Sequence, residues 1–198
     1  MQTSLRSGRR KQIDRRRVSA LALELFERDG FDQVTMSEIA RAASVSRRTL
    51  FREFPSKADL VWDGLDEIVA AERARIAVAR PDATLRELIE EIVAPSLQAA
   101  QSPPEGDLAR RRLRIIAAHP ELLHHQTLNE LRAAITALVA TSDALGGRPA
   151  ALVADAIVAI GFSASLWWAA QGGQTTLLEA FHIALGALGE ASAESRAI

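Results

Sequence analysis

The sequence predicts an all-α protein with two domains, an N-terminal three-helix unit followed by a larger helical domain. Apolar residues recur three and four positions apart along almost the whole chain, which is the spacing of one helix face. The usual signals of strands, such as period-two alternation and Asn-Gly turns, are missing from the 198 residues, and tyrosine is absent. Hydrophobic residues make up 48% of the chain, which is enough to build a packed core.

The boundaries of the helices follow from capping and breaking residues. The first helix follows a flexible basic arm at residues 1–10 and stops at Gly30. Ser56 is the expected N-cap of a long helix that reaches residue 80, and Pro95 should bend or weaken a later helix. The predicted helices cover residues 11–29, 36–43, 47–54, 57–80, 84–101, 107–118, 127–141, 150–171 and 175–188.

The net charge of −1 conceals a strong division along the chain. Residues 1–60 carry a net charge of +5, whereas residues 61–198 carry −6. A basic N-terminal region predicts an anionic partner for that region alone. A protein that packs nucleic acid without specificity would instead be basic throughout. The basic excess is densest in Arg6, Arg9, Arg10, Lys11, Arg15, Arg16 and Arg17.

Composition also indicates the compartment. The chain has no cysteine, which excludes disulfides and Cys-ligated zinc and is compatible with the cytoplasm, where we expect the protein. No signal peptide is expected, because Glu24 and Glu27 interrupt the first apolar run. Residues 150–170 are long enough to cross a bilayer, but Asp155 and the lack of flanking aromatic and basic belts favour a buried core helix, with no membrane partner.

The segment 34–57, VTMSEIARAASVSRRTLFREFPSK, predicts two short helices joined by a tight turn, which is the geometry of a helix-turn-helix. In the second helix, Leu50 and Phe54 form an apolar face that docks on the preceding helices. Arg48 and Arg52 then lie on the opposite face, where arginines can reach guanine edges and phosphates in the major groove. They are flanked by Arg47, Thr49 and Phe51.

These residues make the N-terminal region similar to the TetR family of bacterial repressors. The similarity lies in LELF at 23–26, Gly30-Phe31, Val34-Thr35, Ile39-Ala40 and TLFREFPSK at 49–57. The resemblance covers roughly the first 60 residues and implies an all-α dimer. It implies a DNA-binding domain at residues 11–56, and a helical effector-binding and dimerisation domain at residues 57–198.

The resemblance also implies roles for individual residues. Thr35 and Lys57 are expected to contact phosphates, and the base edges should be read by Arg47, Arg48, Thr49 and Phe51. Three positions depart from the family pattern. Ser44 replaces the usual glycine of the turn, and Phe51 replaces the usual tyrosine. Glu53 stands where a DNA contact is common, so its carboxylate must point away, pair with an arginine, or accept from a cytosine amine.

We therefore expect a sequence-specific repressor that binds a palindromic double-stranded operator as a homodimer through its last two long helices. A small hydrophobic ligand should release it. The stretch 110–125, together with Phe51-Arg52 and Trp62, weakly resembles actinobacterial TetR-type regulators that sense acyl-CoA, so an acyl thioester or lipid is the leading candidate. The expected pocket residues are His119, Asn129, Phe162, Trp167 and Trp168.

Two other readings remain open, a ligand-independent DNA-binding regulator and a helical enzyme. The enzyme is disfavoured by the residues themselves. The segment 161–165, GFSAS, lacks both the final glycine of a nucleophile elbow and a preceding strand. The four histidines lack the HExxH spacing of a zinc site. We predict no catalytic residue, metal or cofactor.

Overall fold

The computed structural model describes residues 13–80, 87, 89–102, 105–141, 149–172 and 174–194. Every element in these ranges is helical, which confirms the predicted all-α class. The basic arm at residues 1–10 lies outside the described residues, as do residues 142–148 between the predicted helices 127–141 and 150–171.

The α-helices of the described residues are α1 Arg15–Asp29, α2 Met36–Ala42, α3 Arg47–Glu53, α4 Lys57–Trp62, α5 Leu65–Ala77, α6 Ala94–Gln101, α7 Glu105–Ala118, α8 Gln126–Thr141, α9 Ala150–Ala170 and α10 Leu177–Glu194. A π-helical turn at Ile89–Val93 leads into α6, and a 3₁₀ turn at Pro120–His124 separates α7 from α8. The π turn ends at Val93, two residues before Pro95, whose missing N–H weakens the helix as predicted. The contacts divide the chain into two units, residues 1–60 and 61–198.

The first unit starts with α1, which begins at Arg15 rather than near residue 11. The cause is Asp14, whose side chain accepts a hydrogen bond from the Arg17 amide at 3.0 Å and so caps the helix. At the other end, Gly30 has a φ of 92°, and its amide donates to the Phe26 carbonyl. The predicted stop at Gly30 is therefore confirmed.

Helices α2 and α3 form the tight turn that the sequence predicts. Thr35 and Glu38 make a reciprocal capping box at the start of α2, and Ser46 caps α3 by accepting from the Thr49 amide at 3.0 Å. Between them Ser44 has a φ of 56°, and the Val45 amide donates to the Ala40 carbonyl at 2.9 Å. This bond reverses the chain at Ser44.

The core of the first unit fixes the orientation of α3. Leu50 and Phe54 are fully buried with Leu23 of α1 and Ile39 of α2. Because these two residues lie four apart, one face of α3 is anchored and the opposite face is turned to solvent. The Arg15 guanidinium lies 4.3 Å from the centre of the Phe54 ring and covers one edge of this core.

The predicted single helix over residues 57–80 is wrong, because the structure divides it into α4 and α5. Gly64 has a φ of 83° and a ψ of −17°, which is left-handed and ends the first helix. The Asp66 carboxylate accepts hydrogen bonds from the Gly64 amide at 2.9 Å and the Glu67 amide at 3.1 Å. Asp66 therefore satisfies two amides at the start of the new helix. The boundary between the two units falls within α4.

The second unit is built around α9, whose Trp168 packs with residues of α6, α7 and α10. Phe181 and Leu177 of α10 are 1% and 2% exposed, and Leu113 of α7 completes the centre of this core. The Trp168 indole donates to the Thr175 carbonyl at 3.0 Å, which links α9 to the segment before α10.

Helix α9 is buried on one side and exposed on the other, although nearly all of its residues are apolar. Among the described helices it is the one that is long and apolar enough to cross a membrane by length and composition. Ala154, Val158 and Trp168 are buried as a core helix requires, whereas Leu152 and Trp167 are 66% and 43% exposed. One face of α9 is thus exposed to solvent.

Candidate functional site

The exposed face of α3 contains the side chains that the sequence assigns to base reading. Arg47, Arg48 and Arg52 are exposed, and Phe51 keeps 41% of its surface accessible. Thr49 is only half-exposed, because its amide and hydroxyl both lie within 3.0 Å of the Ser46 hydroxyl at the helix start. The structure therefore brings the predicted contacts onto one short helix, with Thr49 engaged in its cap.

Glu53 pairs with arginines, which selects one of the three roles considered for it. Its carboxylate accepts from Nε and Nη2 of Arg52 at 2.9 and 2.8 Å. It also lies 3.8 Å from the Arg15 guanidinium, which donates to the Glu53 carbonyl at 2.6 Å. This carboxylate reduces the positive charge at the C-terminal end of α3 and orients Arg52. Arg52 is still more than half exposed, with free N–H groups on a five-donor guanidinium.

The two residues expected to contact phosphates also have structural roles. The Thr35 hydroxyl belongs to the capping box with Glu38. The Lys57 ammonium donates to the Phe31 carbonyl at 2.5 Å, and it lies 4.5 Å from the centre of the Phe31 ring. Lys57 therefore holds the loop between α1 and α2 against the start of α4. Phosphate contact by either residue stays a prediction.

The second unit encloses a separate feature, an apolar cavity of about 130 Å³. Its wall is formed by the side chains of α4 to α10 and the π turn, including Trp62, Leu65, Ile68, Val69, Val93, Leu97, Leu113, Leu128, Leu131, Ile135, Ile157, Val158, Phe162, Leu177 and Phe181. The polar side chains of the wall are Glu72, Ser96 and Ser165. A concave, largely apolar space with a few polar groups is the usual form of a small-molecule site.

Glu72 is the unusual member of this wall. It lies on α5 and is 7% exposed, among apolar neighbours. Burial raises the pKa of Glu72 to about 7, and the positive charge of Arg75 opposes this only in part. The Arg75 guanidinium donates to the Ser96 hydroxyl at 3.0 Å, beside the same cavity.

One of the five expected pocket residues lies on the cavity wall. Phe162 lines it, and its ring centre is 5.8 Å from that of Trp62. Trp168 is buried in the core and Trp167 is exposed, and neither indole lines the cavity. Adjacent residues on a helix point about 100° apart, so the two indoles face different directions. The one that points inward, Trp168, packs in the core cluster.

The two polar residues expected in the pocket also lie elsewhere. His119 precedes the 3₁₀ turn, and its Nδ1 is 3.3 Å from the Glu121 carboxylate. Asn129 is exposed on α8 and accepts from Arg132 at 2.9 Å. His119 is half-buried and Asn129 is exposed, and neither side chain lies on the cavity wall.

Glu72 and Trp62 were missing from the expected pocket. Glu72 follows Leu65 by seven positions and Ile68 by four, so it occupies the apolar stripe of α5. A carboxylate within an apolar stripe is a sequence signal for a buried polar group. Trp62 ends α4 and donates its indole N–H to the Leu122 carbonyl at 3.0 Å, a contact between distant residues.

Comparison with known proteins identifies the class of the first unit. Residues 20–62 match the family model described as bacterial regulatory proteins, tetR family. Over 119 residues the chain is 33% identical to MftR of Mycobacterium tuberculosis, described as a mycofactocin biosynthesis transcriptional regulator. A stretch of 47 residues is 38% identical to the DNA-binding transcriptional repressor TetR of Mycobacteroides abscessus. Over these matched residues the chain is similar to TetR-family regulators.

These relatives are matched over part of their length. The first alignment covers 59% of this chain and 58% of MftR, and the second covers 24% of this chain and 25% of its relative. Both are described as transcriptional regulators, and the prediction that the chain is not an enzyme agrees with that class.

Solved structures share the fold of the chain. The TetR-family repressor FadR of Thermus thermophilus, solved in complex with lauroyl-CoA, has a TM-score of 0.58 and 23% identity. The similarity covers 86% of this chain and 91% of FadR. A TetR-family regulator from Shewanella has the same TM-score with 19% identity, covering 89% and 96% of the two chains. At these identities the likeness establishes the helical architecture.

Proposed function

We propose that the chain is a DNA-binding transcriptional repressor that acts in the cytoplasm and reads an operator with α3. The observation that carries this proposal is the solvent-exposed arginine face of α3, held outward by the buried Leu50 and Phe54. Exposed guanidinium groups on a helix that a small core orients suit base edges in the major groove, and Thr35 and Lys57 would contact the flanking phosphates.

A homodimer would supply the second half of the recognition surface. One short helix reads only a few base pairs, so a specific site requires two copies related by two-fold symmetry on a palindromic operator. The exposed apolar residues of α9 and α10, including Leu152, Trp167 and Ile183, support an interface on these helices.

The cavity of the second unit would bind a small hydrophobic effector that releases the operator. Lys57 at the start of α4 bonds the loop of the first unit, while Trp62 at its end lines the cavity. A ligand that favours one position of α4 would change the spacing of the two recognition helices, which must match one helical repeat of about 34 Å. Acyl thioesters and lipids are the first compounds to test.

The test of operator reading is a gel-shift titration with the promoter region next to the gene. We expect Arg48→Ala to weaken operator binding by about 1–3 kcal/mol, and Arg48→Ala with Arg52→Ala to abolish preference over unrelated DNA. Arg28→Ala is the matched control, because Arg28 is an exposed arginine of α1 that pairs with Asp29. Operator affinity unchanged in the double variant would refute the role of α3.

The ligand step is tested separately by adding acyl-CoAs and lipids to the same gel shifts. Release of the operator by any of them supports the effector site. Coupling of about 1–3 kcal/mol would make a useful switch, and the operator must weaken ligand binding by the same factor. If no apolar compound binds the protein, a ligand-independent regulator replaces this part of the proposal.

A further inference from the structure

The cavity of the second unit has a single ionisable side chain among its described wall residues, and this is Glu72. The wall around it is formed by leucine, isoleucine, valine and aromatic side chains of α5, α8 and α9. Glu72 is 7% exposed, so solvent supplies little stabilisation to its carboxylate. Ionising a lone carboxylate in such surroundings costs free energy unless a cation or a hydrogen-bond donor contacts it.

No described residue of the chain provides that partner. The structure shows no hydrogen bond to the Glu72 carboxylate and no ion pair within 4 Å among the described residues. Arg75 is the nearest candidate, one turn along α5, but its guanidinium donates to the Ser96 hydroxyl at 3.0 Å. In agreement with this geometry, desolvation outweighs the charge of Arg75 and raises the pKa of Glu72 to about 7.

We propose that the effector is an apolar molecule with one protonated amine, whose N–H groups bind the Glu72 carboxylate while its hydrocarbon part fills the cavity. This inference rests on the proposed function, because it takes the cavity as the effector site. An amine would supply the missing charge and donors together, and charge-assisted hydrogen bonds are the strongest type. An apolar carboxylate would be rejected, since two carboxylates would share one buried space.

The experiment compares three compounds that share a ring and differ in one group: cyclohexylamine, cyclohexanol and cyclohexanecarboxylate. Titration calorimetry at pH 8 on the full-length protein gives their affinities, with Glu72 mostly ionised. We expect cyclohexylamine to bind at least tenfold more tightly than cyclohexanol, and cyclohexanecarboxylate to bind most weakly. In Glu72→Gln the affinity for the amine should fall at least tenfold, while that for the alcohol stays within twofold.

Glu67→Gln is the matched control, because Glu67 is an exposed glutamate on the same helix. It should retain the preference for the amine. This result would exclude a general attraction of amines to an acidic domain as the cause of that preference. Equal binding of amine and alcohol to the wild type, or an amine preference that survives Glu72→Gln, overturns the inference while the cavity still binds ligands. Failure of all three ring compounds, with an acyl-CoA binding instead, also overturns it and leaves the proposed effector site standing. If neither these compounds nor any lipid binds, the effector site itself is refuted.

Discussion

Two residues of the structure have conformations or environments that their chemistry disfavours, and both can be tested individually. Ser44 lies in the left-handed region with a φ of 56°, and Glu72 is a carboxylate in an apolar wall. The sequence indicates the first of these, because a turn between two short helices often requires glycine. It indicates the second only through the position of Glu72 within an apolar stripe.

Replacing Ser44 by glycine should stabilise the protein. A side chain with a Cβ costs about 1–2 kcal/mol in the left-handed region, and the larger unfolded-state entropy of glycine offsets part of this gain. We expect Ser44→Gly to raise the free energy of unfolding by about 0.5–1 kcal/mol, measured by urea denaturation. Ser44→Ala keeps the Cβ and should leave stability almost unchanged. A glycine variant less stable than the alanine variant would contradict this explanation.

The stability of the second unit should fall with rising pH because of Glu72. Its pKa is about 7 in the folded protein and 4.5 ordinarily, so the folded state favours the neutral carboxyl. This contribution is fully present below pH 4.5, declines as the pH rises towards 7, and is absent above it. Glu72→Gln should therefore gain stability relative to the wild type between pH 5 and pH 8, by up to about 3 kcal/mol.

The measurement is urea denaturation of both proteins at several pH values. Other titrating groups affect the two proteins equally and cancel in the difference. The free energy of unfolding of Glu67→Gln, on the exposed face of α5, should change with pH in parallel to that of the wild type. Parallel curves for Glu72→Gln and the wild type would show that the carboxylate is not desolvated.

At the scale of elements, the sequence predicts helices where caps are local and misses breaks that depend on backbone conformation. The predicted ends of α2 and α3 agree with the structure within one residue. The side chains of Thr35 and Ser46 cap these helices by accepting from amides three residues further along the chain, so the signal is local in sequence. The sequence does not indicate the break between α4 and α5, because a glycine within an apolar helical pattern is compatible with continuing the helix.

The break at Gly64 gives a prediction for these two helices. Gly64→Ala should destabilise the protein by about 1–2 kcal/mol, because alanine is strained at a φ of 83°. Asparagine tolerates this region better, so Gly64→Asn should fall between glycine and alanine in urea denaturation. If alanine stabilised the protein, α4 and α5 would be one helix, as the sequence alone suggests.

The same difference between local and distant determinants explains the outcome at the candidate site. The outward face of α3 follows from helical periodicity and the buried Leu50 and Phe54, so the exposure of its arginines could be predicted from the sequence. The cavity wall could not, because it joins side chains from helices far apart in the chain. Of the five residues expected in the pocket, Phe162 alone lies on the cavity wall, whereas Trp168 is buried in the core, where its indole donates to the Thr175 carbonyl.

At the scale of the whole molecule, the exposed apolar surface of α9 and α10 requires an explanation. Leu152 is 66% exposed and Ile183 is 58% exposed, although both helices are among the most apolar of the chain. Single exposed hydrophobic residues are normal, whereas several on two packed helices are what an interface between subunits would cover. The proposed homodimer would bury them and would place two copies of α3 on one operator.

Charges on this surface should therefore separate the subunits and weaken operator binding together. We expect Leu152→Glu and Ile183→Glu each to convert a dimer into a monomer in analytical ultracentrifugation at micromolar concentration, because a buried unpaired carboxylate opposes association. Val78→Glu is the matched control, since Val78 is 81% exposed but ends α5. The monomers should retain their circular dichroism and bind a half-operator as weakly as a full palindrome, because the second recognition helix is lost. A wild-type protein that sediments as a monomer would refute the dimer and would leave the apolar face of α9 to a partner of another kind.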